Sequence, residues 1–123
     1  IYGDGETTRD FCFVDNFVQM NLRSALVESP EAINQVYNVA HQSQISLNDL
    51  FQAIKEELSS RKGDEAILSI EPNYEDFRAG DIRHSLADIS KAKDLLGYKP
   101  LCNVREGLSE SMDWYLENYQ SEG

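Results

Sequence analysis

Four segments of helical periodicity, each with its own start or stop signal, divide this sequence, and only short extended stretches lie between them. Val18, Leu22, Ala25 and Leu26 form one stripe after Asp15, a plausible N-cap, and Ser29-Pro30 stops it. A second helix starts at Ser46, with Asp49 three residues on to support a capping box. Leu47, Leu50, Phe51, Ile54 and Leu58 share its face, and Arg61-Lys62-Gly63 ends it. A third runs from about Ser90 to Leu96, with Gly97 placed to turn left-handed beyond its end. The fourth begins near Asn103, with Glu106 three residues on, and is expected to bury Leu108, Met112, Tyr115, Leu116 and Tyr119. Between them, Val36–Ala40 and Ala66–Ile70 read as short strands, the second broken by Pro72, and residues 72–84 read as a polar loop. No repeat or low-complexity tract is present. The pattern predicts a single small α/β domain, residues 1–123, with about four helices and a few short strands.

Charge narrows the function. Among 123 residues, 11 basic side chains stand against 22 acidic ones, a formal charge of −11, and the bases are scattered. A nucleic-acid footprint needs clustered Lys and Arg, so that class is excluded, although a few arginines can still grip one small anion. No apolar run approaches the roughly 20 residues that cross a bilayer, and there is no signal peptide, so no membrane is expected as a partner. Cys12 and Cys102 stand far apart with no C-x-x-C, and only two histidines accompany them, so neither a metal site nor a disulfide framework is suggested. Two reduced thiols point to the cytoplasm. The chain opens on Ile1 and runs at once into a glycine turn, which reads as a piece of something longer whose partner half would share any site.

The candidates for chemistry are few. Gly3-Asp4-Gly5-Glu6-Thr7-Thr8 begins like a dinucleotide fingerprint, yet Thr8 replaces the third glycine, no strand precedes it, and Asp4 and Glu6 would repel a pyrophosphate. It reads better as a tight turn. Arg9-Asp10 follows it, and Arg78-Ala79-Gly80-Asp81 sits in the long loop. A guanidinium offers phosphate oxygens a planar fork of donors, and a carboxylate can accept from paired sugar hydroxyls. The alternative for each arginine is a surface charge or an acid partner, and Arg83 is read that way. His41 and His84 lack neighbours that would complete a triad. Cys12, within Phe11-Cys12-Phe13-Val14, reads as a buried small hydrophobe, and Trp114-Tyr115 as helix packing.

A family resemblance links these pieces. Gly3-Asp4-Gly5 through Arg9-Asp10-Phe11 to Val14-Asp15 comes first, followed by Tyr37-Asn38-Val39 and Arg78-x-Gly80-Asp81. Asp88-x-Ser90-Lys91-Ala92, Leu95-Leu96-Gly97-Tyr98-x-Pro100, Gly107-Leu108 and Trp114-Tyr115 complete the series. Together they resemble the C-terminal part of extended short-chain dehydrogenase/reductases, the NAD-dependent nucleotide-sugar enzymes, over almost the whole chain. Arg-x-Gly-Asp is more similar to the UDP-sugar 4-epimerases than to the decarboxylases or dTDP-glucose dehydratases, and Asp76 to Asp88 resembles bacterial UDP-N-acetylglucosamine 4-epimerases.

The resemblance implies roles. Arg9 and Arg78 match positions that clamp the UDP pyrophosphate, Asp81 the one that holds the ribose hydroxyls, and Tyr2 falls where an aromatic lies beside the uracil. Ser85 stands where hexose-specific epimerases carry a bulky aromatic, which leaves room for an N-acetyl group; Asn16 stands where many members carry a second Asp. Asp88, Ser90 and Lys91 match a structural helix-start motif. The glycine-rich NAD turn and the Tyr-x-x-x-Lys pair belong to a preceding Rossmann domain, absent here, because Tyr74 is followed four residues later by Arg78. No catalytic residue, and no NAD-binding residue, is therefore expected in this chain. The resemblance implies the UDP-sugar-binding half of a cytoplasmic, homodimeric UDP-N-acetylhexosamine 4-epimerase serving polysaccharide precursors, inactive by itself. A UDP-hexuronate epimerase or decarboxylase, and a free-standing binding or interaction module, are the alternatives.

Overall fold

A computed structural model describes residues 1–119. In chain order they form β1 (Thr8–Arg9), α1 (Val14–Leu26), β2 (Ile45–Ser46), α2 (Leu47–Lys62), a 3-10 helix (Glu65–Ser69), α3 (Ser90–Leu96) and α4 (Val104–Asn118). β1 and β2 pair antiparallel, Thr8 opposite Ser46 and Arg9 opposite Ile45. The result is a small α/β unit with four α-helices, as the sequence predicts, and two short strands at positions other than the expected ones.

The helix ends follow their local chemistry. The Ser46 hydroxyl accepts from the Asp49 amide at 3.0 Å and donates to its carboxylate at 2.7 Å. At the start of α4, Asn103 and Glu106 form a reciprocal capping box, each side chain accepting the other's backbone N–H. Asp88 accepts the Ser90 amide at 2.8 Å and so opens α3. The Ser90 hydroxyl and amide both hold the Asp88 carboxyl below the usual carboxylate range. Gly63 and Gly97 close α2 and α3 in the left-handed conformation. α1 departs from expectation: its N-cap is Phe13, with no side-chain cap, and Asp15 lies inside the first turn.

Neither expected strand forms. Residues 65–69 coil into the 3-10 helix because the Asp64 carboxylate accepts the Ala66 amide at 2.9 Å and stabilises a turn, and Ile67 is buried. The buried Lys55 ammonium then donates to the Leu68 and Ile70 carbonyls at 3.1 and 2.9 Å. Residues 36–40 belong to no sheet among the described residues, where only β1 and β2 make a ladder. Other bonds hold this stretch: Tyr37 donates to the Ala32 carbonyl at 2.7 Å, and Asn38 to the Asp88 carbonyl at 3.1 Å.

The core comprises Met20, Ala32, Ala40, Ile89, Ala92, Leu96 and Tyr98. Tyr98 is fully buried and donates to the Ala40 carbonyl at 2.8 Å; burial pushes its phenol up to about 12. Asn16, also fully buried, joins α1 to the linker before α4. Its amide nitrogen donates to the Cys102 carbonyl at 2.8 Å, while its oxygen accepts the Leu101 and Cys102 amides at 2.6 and 3.1 Å. A carboxylate could not supply that donor, which accounts physically for Asn at this position.

The expected buried faces shift. α1 packs through Asn16 and Met20, leaving Val18, Leu22 and Leu26 exposed. In α4, Gly107 and Met112 are buried, whereas Trp114, Tyr115 and, just past its end, Tyr119 are exposed. Gly107 is needed for close approach, since a Cβ there would lie 2.7 Å from the Phe13 ring. Cys12 is exposed, not buried. In both helices the apolar period is present, but the buried side is set by tertiary contacts that the period does not specify.

Candidate functional site: the edge formed by residues 1–9 and 74–85

Residues 74–85 contain no helix and only isolated bridges, yet residues 1–9 hold them along their length. The Gly3 amide donates to the Glu75 carbonyl and the Glu75 amide to the Ile1 carbonyl, both at 2.8 Å. Farther along, the Thr8 amide donates to the Arg83 carbonyl at 2.9 Å, and the Ser85 amide to the Thr8 carbonyl at 3.2 Å. The turn between these anchors requires glycine at both ends. Gly3 and Gly5 have φ of 80° and 78°, and a Cβ would lie 2.3 Å from Phe77 at Gly3 and 1.9 Å from Asn48 at Gly5. Asp4 closes the turn by accepting the Glu6 amide at 3.0 Å.

Four of the five predicted site residues come together in two pairs on this edge. Arg9 is oriented by the Thr8 carbonyl at 2.8 Å and ion-pairs with Asp81 at 2.5 Å. The Arg78 guanidinium lies over the Tyr2 ring, 3.7 Å from its centre. All four side chains remain at least partly open to solvent. Ser85 is exposed and bound through its backbone to Thr8, the residue before Arg9. Chemically, the edge offers two guanidinium forks for an anion, a carboxylate for hydroxyl donors, and an aromatic face beside them.

Sequence reading gives Arg83 a surface charge or an acid partner, and the structure shows the acid; that reading assigns no role to Asn48 or Asp10, which also shape this edge. Arg83 pairs with Asp4 through both guanidinium arms, at 2.8 and 2.7 Å. Asn48 donates to the Asp4 carbonyl at 3.1 Å and to Glu6 at 2.8 Å, and accepts from the Tyr74 hydroxyl at 2.8 Å. Asp10 accepts the amides of His41, Gln42 and Ala87 at 3.1, 3.0 and 3.3 Å, tying three stretches of chain together. His41 is itself half-buried, with Nδ1 3.0 Å from the Ser43 hydroxyl. Apart from the local Asp4–Glu6 bond, these partners of Asp4, Asp10 and Asn48 lie 26 to 79 positions away, where local patterns carry no signal.

Comparison with known proteins places this edge in context. The family model described as GDP-mannose 4,6-dehydratase matches residues 1–111. The chain belongs to the extended short-chain dehydrogenase/reductases. It is 33% identical over 118 residues to a putative UDP-glucose 4-epimerase of Methanocaldococcus jannaschii, covering 96% of this chain and 34% of that protein. Among solved structures it is similar to the UDP-N-acetylglucosamine 4-epimerase of Methanobrevibacter ruminantium in complex with UDP-N-acetylmuramic acid, with 38% identity and a TM-score of 0.80. That match covers 97% of this chain and 34% of the other. It is also similar to the UDP-glucuronic acid 4-epimerase of Bacillus cereus in complex with UDP-4-deoxy-4-fluoro-glucuronic acid and NAD. There the identity is 28% and the TM-score 0.78, over 97% of this chain and 35% of the other. The chain thus spans about a third of the length of the relatives it matches.

NAD does not fit the glycine turn found here. The space above Gly3 and Gly5 is filled by Phe77 and Asn48, and the Asp4 carboxylate occupies the turn's own amide. The described residues provide no pyrophosphate cradle of that kind.

Proposed function

We propose that this chain is the nucleotide-sugar-binding domain of a longer UDP-N-acetylhexosamine 4-epimerase, which interconverts the gluco and galacto forms of an N-acetylated UDP-sugar through a 4-keto intermediate, with NAD. The observation that carries the reading is the convergence of Arg9, Arg78, Asp81 and Tyr2 on one edge, four groups suited to a uridine diphosphate. In this reading the two guanidinium forks take the diphosphate, Asp81 accepts from the ribose hydroxyls, and the uracil lies by Tyr2. Ser85 lies toward the sugar, where its small side chain leaves room for an N-acetyl group as the keto sugar turns over.

Hydride and proton transfer, and the NAD site, belong to the remainder of the polypeptide. The outer face of α1 supports that division. Val14, Phe17, Val18, Leu22 and Leu26 are 47–78% exposed along one side of the helix, an apolar stripe that the missing two-thirds of a relative-sized protein would cover. A hexuronate substrate is the second reading, favoured by the uronic acid bound to the Bacillus cereus relative.

The test is to incubate the full-length polypeptide, and this chain alone, with NAD and UDP-N-acetylglucosamine and to follow the galacto product. Turnover is expected only from the full-length protein. Turnover of UDP-glucuronic acid in its place would select the second reading, and sustained turnover by the chain alone would overturn the division of labour.

A further inference from the structure

We propose that Arg83 and His84, between Asp81 and Ser85, are positioning residues: they latch this part of the loop to residues 4 and 8 and thereby fix the distance between the diphosphate grip and the sugar-facing position. The proposal rests on the UDP-sugar reading above and adds two residues that contact no part of the substrate themselves.

The geometry separates these residues from the grip. Both terminal nitrogens of Arg83 donate to Asp4, one to each carboxylate oxygen, and the guanidinium also lies over the Phe77 ring, 5.5 Å from its centre. His84 Nδ1 stands 3.0 Å from the Thr8 hydroxyl, and the backbone of Thr8 bridges that of His84 in parallel register. Asp4 is fixed in turn by the glycine turn, and Thr8 by pairing with Ser46 in the sheet. The loop is therefore tied at 83 to the glycine turn and at 84 to β1, where Thr8 directly precedes Arg9.

A loop without secondary structure would otherwise lose conformational freedom when Asp81 and Ser85 closed on a ligand. Preorganisation removes that cost from binding. Exposed ion pairs usually contribute little, but a bidentate guanidinium–carboxylate fork is the favourable exception. The Asp4 carboxyl responds accordingly: the hydrogen bond from Arg83, then the Glu6 amide, hold it below the usual carboxylate range.

The experiment measures KM and kcat for UDP-N-acetylglucosamine in the full-length enzyme. Asp4→Asn keeps an oxygen for the Glu6 amide and removes the ion pair; Arg83→Gln removes it from the other side, and Arg83→Lys keeps the charge without the fork. Thr8→Val and His84→Phe break the second tie, while His84→Asn restores a hydrogen-bonding atom near the Nδ1 position. Each disrupting variant is expected to raise KM about 3- to 10-fold, the range of one hydrogen bond of modest net strength, with kcat within about twofold. Arg83→Lys should be intermediate, His84→Asn close to wild type, and each double variant within a pair no worse than its worse single. Unchanged KM in the disrupting variants, or additive losses within both pairs, would overturn the latch while an active wild type left the functional reading standing. A wild type that neither binds UDP nor turns over a UDP-sugar would overturn that reading, and the latch with it.

Discussion

The edge built from residues 1–9 and 74–85 and the outer face of α1 are both exposed, but in chemically opposite ways. On the edge, charged groups already have partners within the chain: Arg9 with Asp81, Arg83 with Asp4, and Arg78 on the Tyr2 ring. On α1, Phe17, Val18, Leu22 and Leu26 are about half exposed or more, while Asn16 and Met20 pack on the inside. Internally paired polar groups suit a surface that waits for a small charged ligand and must keep its shape meanwhile. An apolar stripe suits a surface that is covered permanently. In the proposed function the first region binds the ligand and the second is covered by the rest of a longer polypeptide.

The contrast breaks most severely if α1 is loosened from within. Asn16→Ala strips a fully buried side chain's bonds from two part-buried amides and one carbonyl, and the unfolding free energy of the full-length protein in urea should fall by about 3 to 4 kcal/mol. A loss below about 1 kcal/mol would mean that water or a rearranged linker replaces the amide.

The outer face gives a somewhat smaller effect. If the remainder of the polypeptide covers Leu22, 59% exposed in this chain, then Leu22→Lys should cost about 2 to 3 kcal/mol in the full-length protein, as loss of a buried leucine and burial of its replacement would. A change within about 0.5 kcal/mol, as for an ordinary surface position, would show that α1 stays uncovered.

Ser85 sharpens the other region. Ser85→Tyr should depress kcat/KM for UDP-N-acetylglucosamine while sparing UDP-glucose. With overpacking worth about 1 to 3 kcal/mol and 1.4 kcal/mol per decade, the ratio of specificity constants should shift by roughly 5- to 150-fold. Equal losses on both substrates would indicate general damage to the loop, and an unchanged ratio would remove Ser85 from the site.

The sequence was most informative where structure is decided locally. The caps at Ser46 and Asn103, the stops at Gly63 and Gly97 and the span of α3 all depend on residues within a turn of one another. It failed where the decision is tertiary. Periodicity finds the apolar stripe of α1 but cannot tell which neighbour covers it, so Val18, Leu22 and Leu26 read as core. Residues 36–40 have the composition of a buried strand without a partner among the described residues, and Asp64 turns 65–69 into a 3-10 helix through one side-chain bond. Arg9, Arg78 and Asp81 drew notice by residue type alone, but Tyr2 and the grouping of all four became visible through resemblance, because their juxtaposition joins positions about 70 residues apart. The Arg83–Asp4 fork carried no local mark at all.

The central claim is that this edge grips a uridine diphosphate, and calorimetric titration of UDP into the full-length protein and its Arg9→Ala and Arg78→Ala variants tests it most directly. Each substitution should cost about 1.5 to 3 kcal/mol, the range for a hydrogen bond to a charged group, or roughly 10- to 150-fold in Kd, with circular dichroism unchanged. UDP affinity unaltered in both variants would make the two arginines ordinary surface charges and contradict the account.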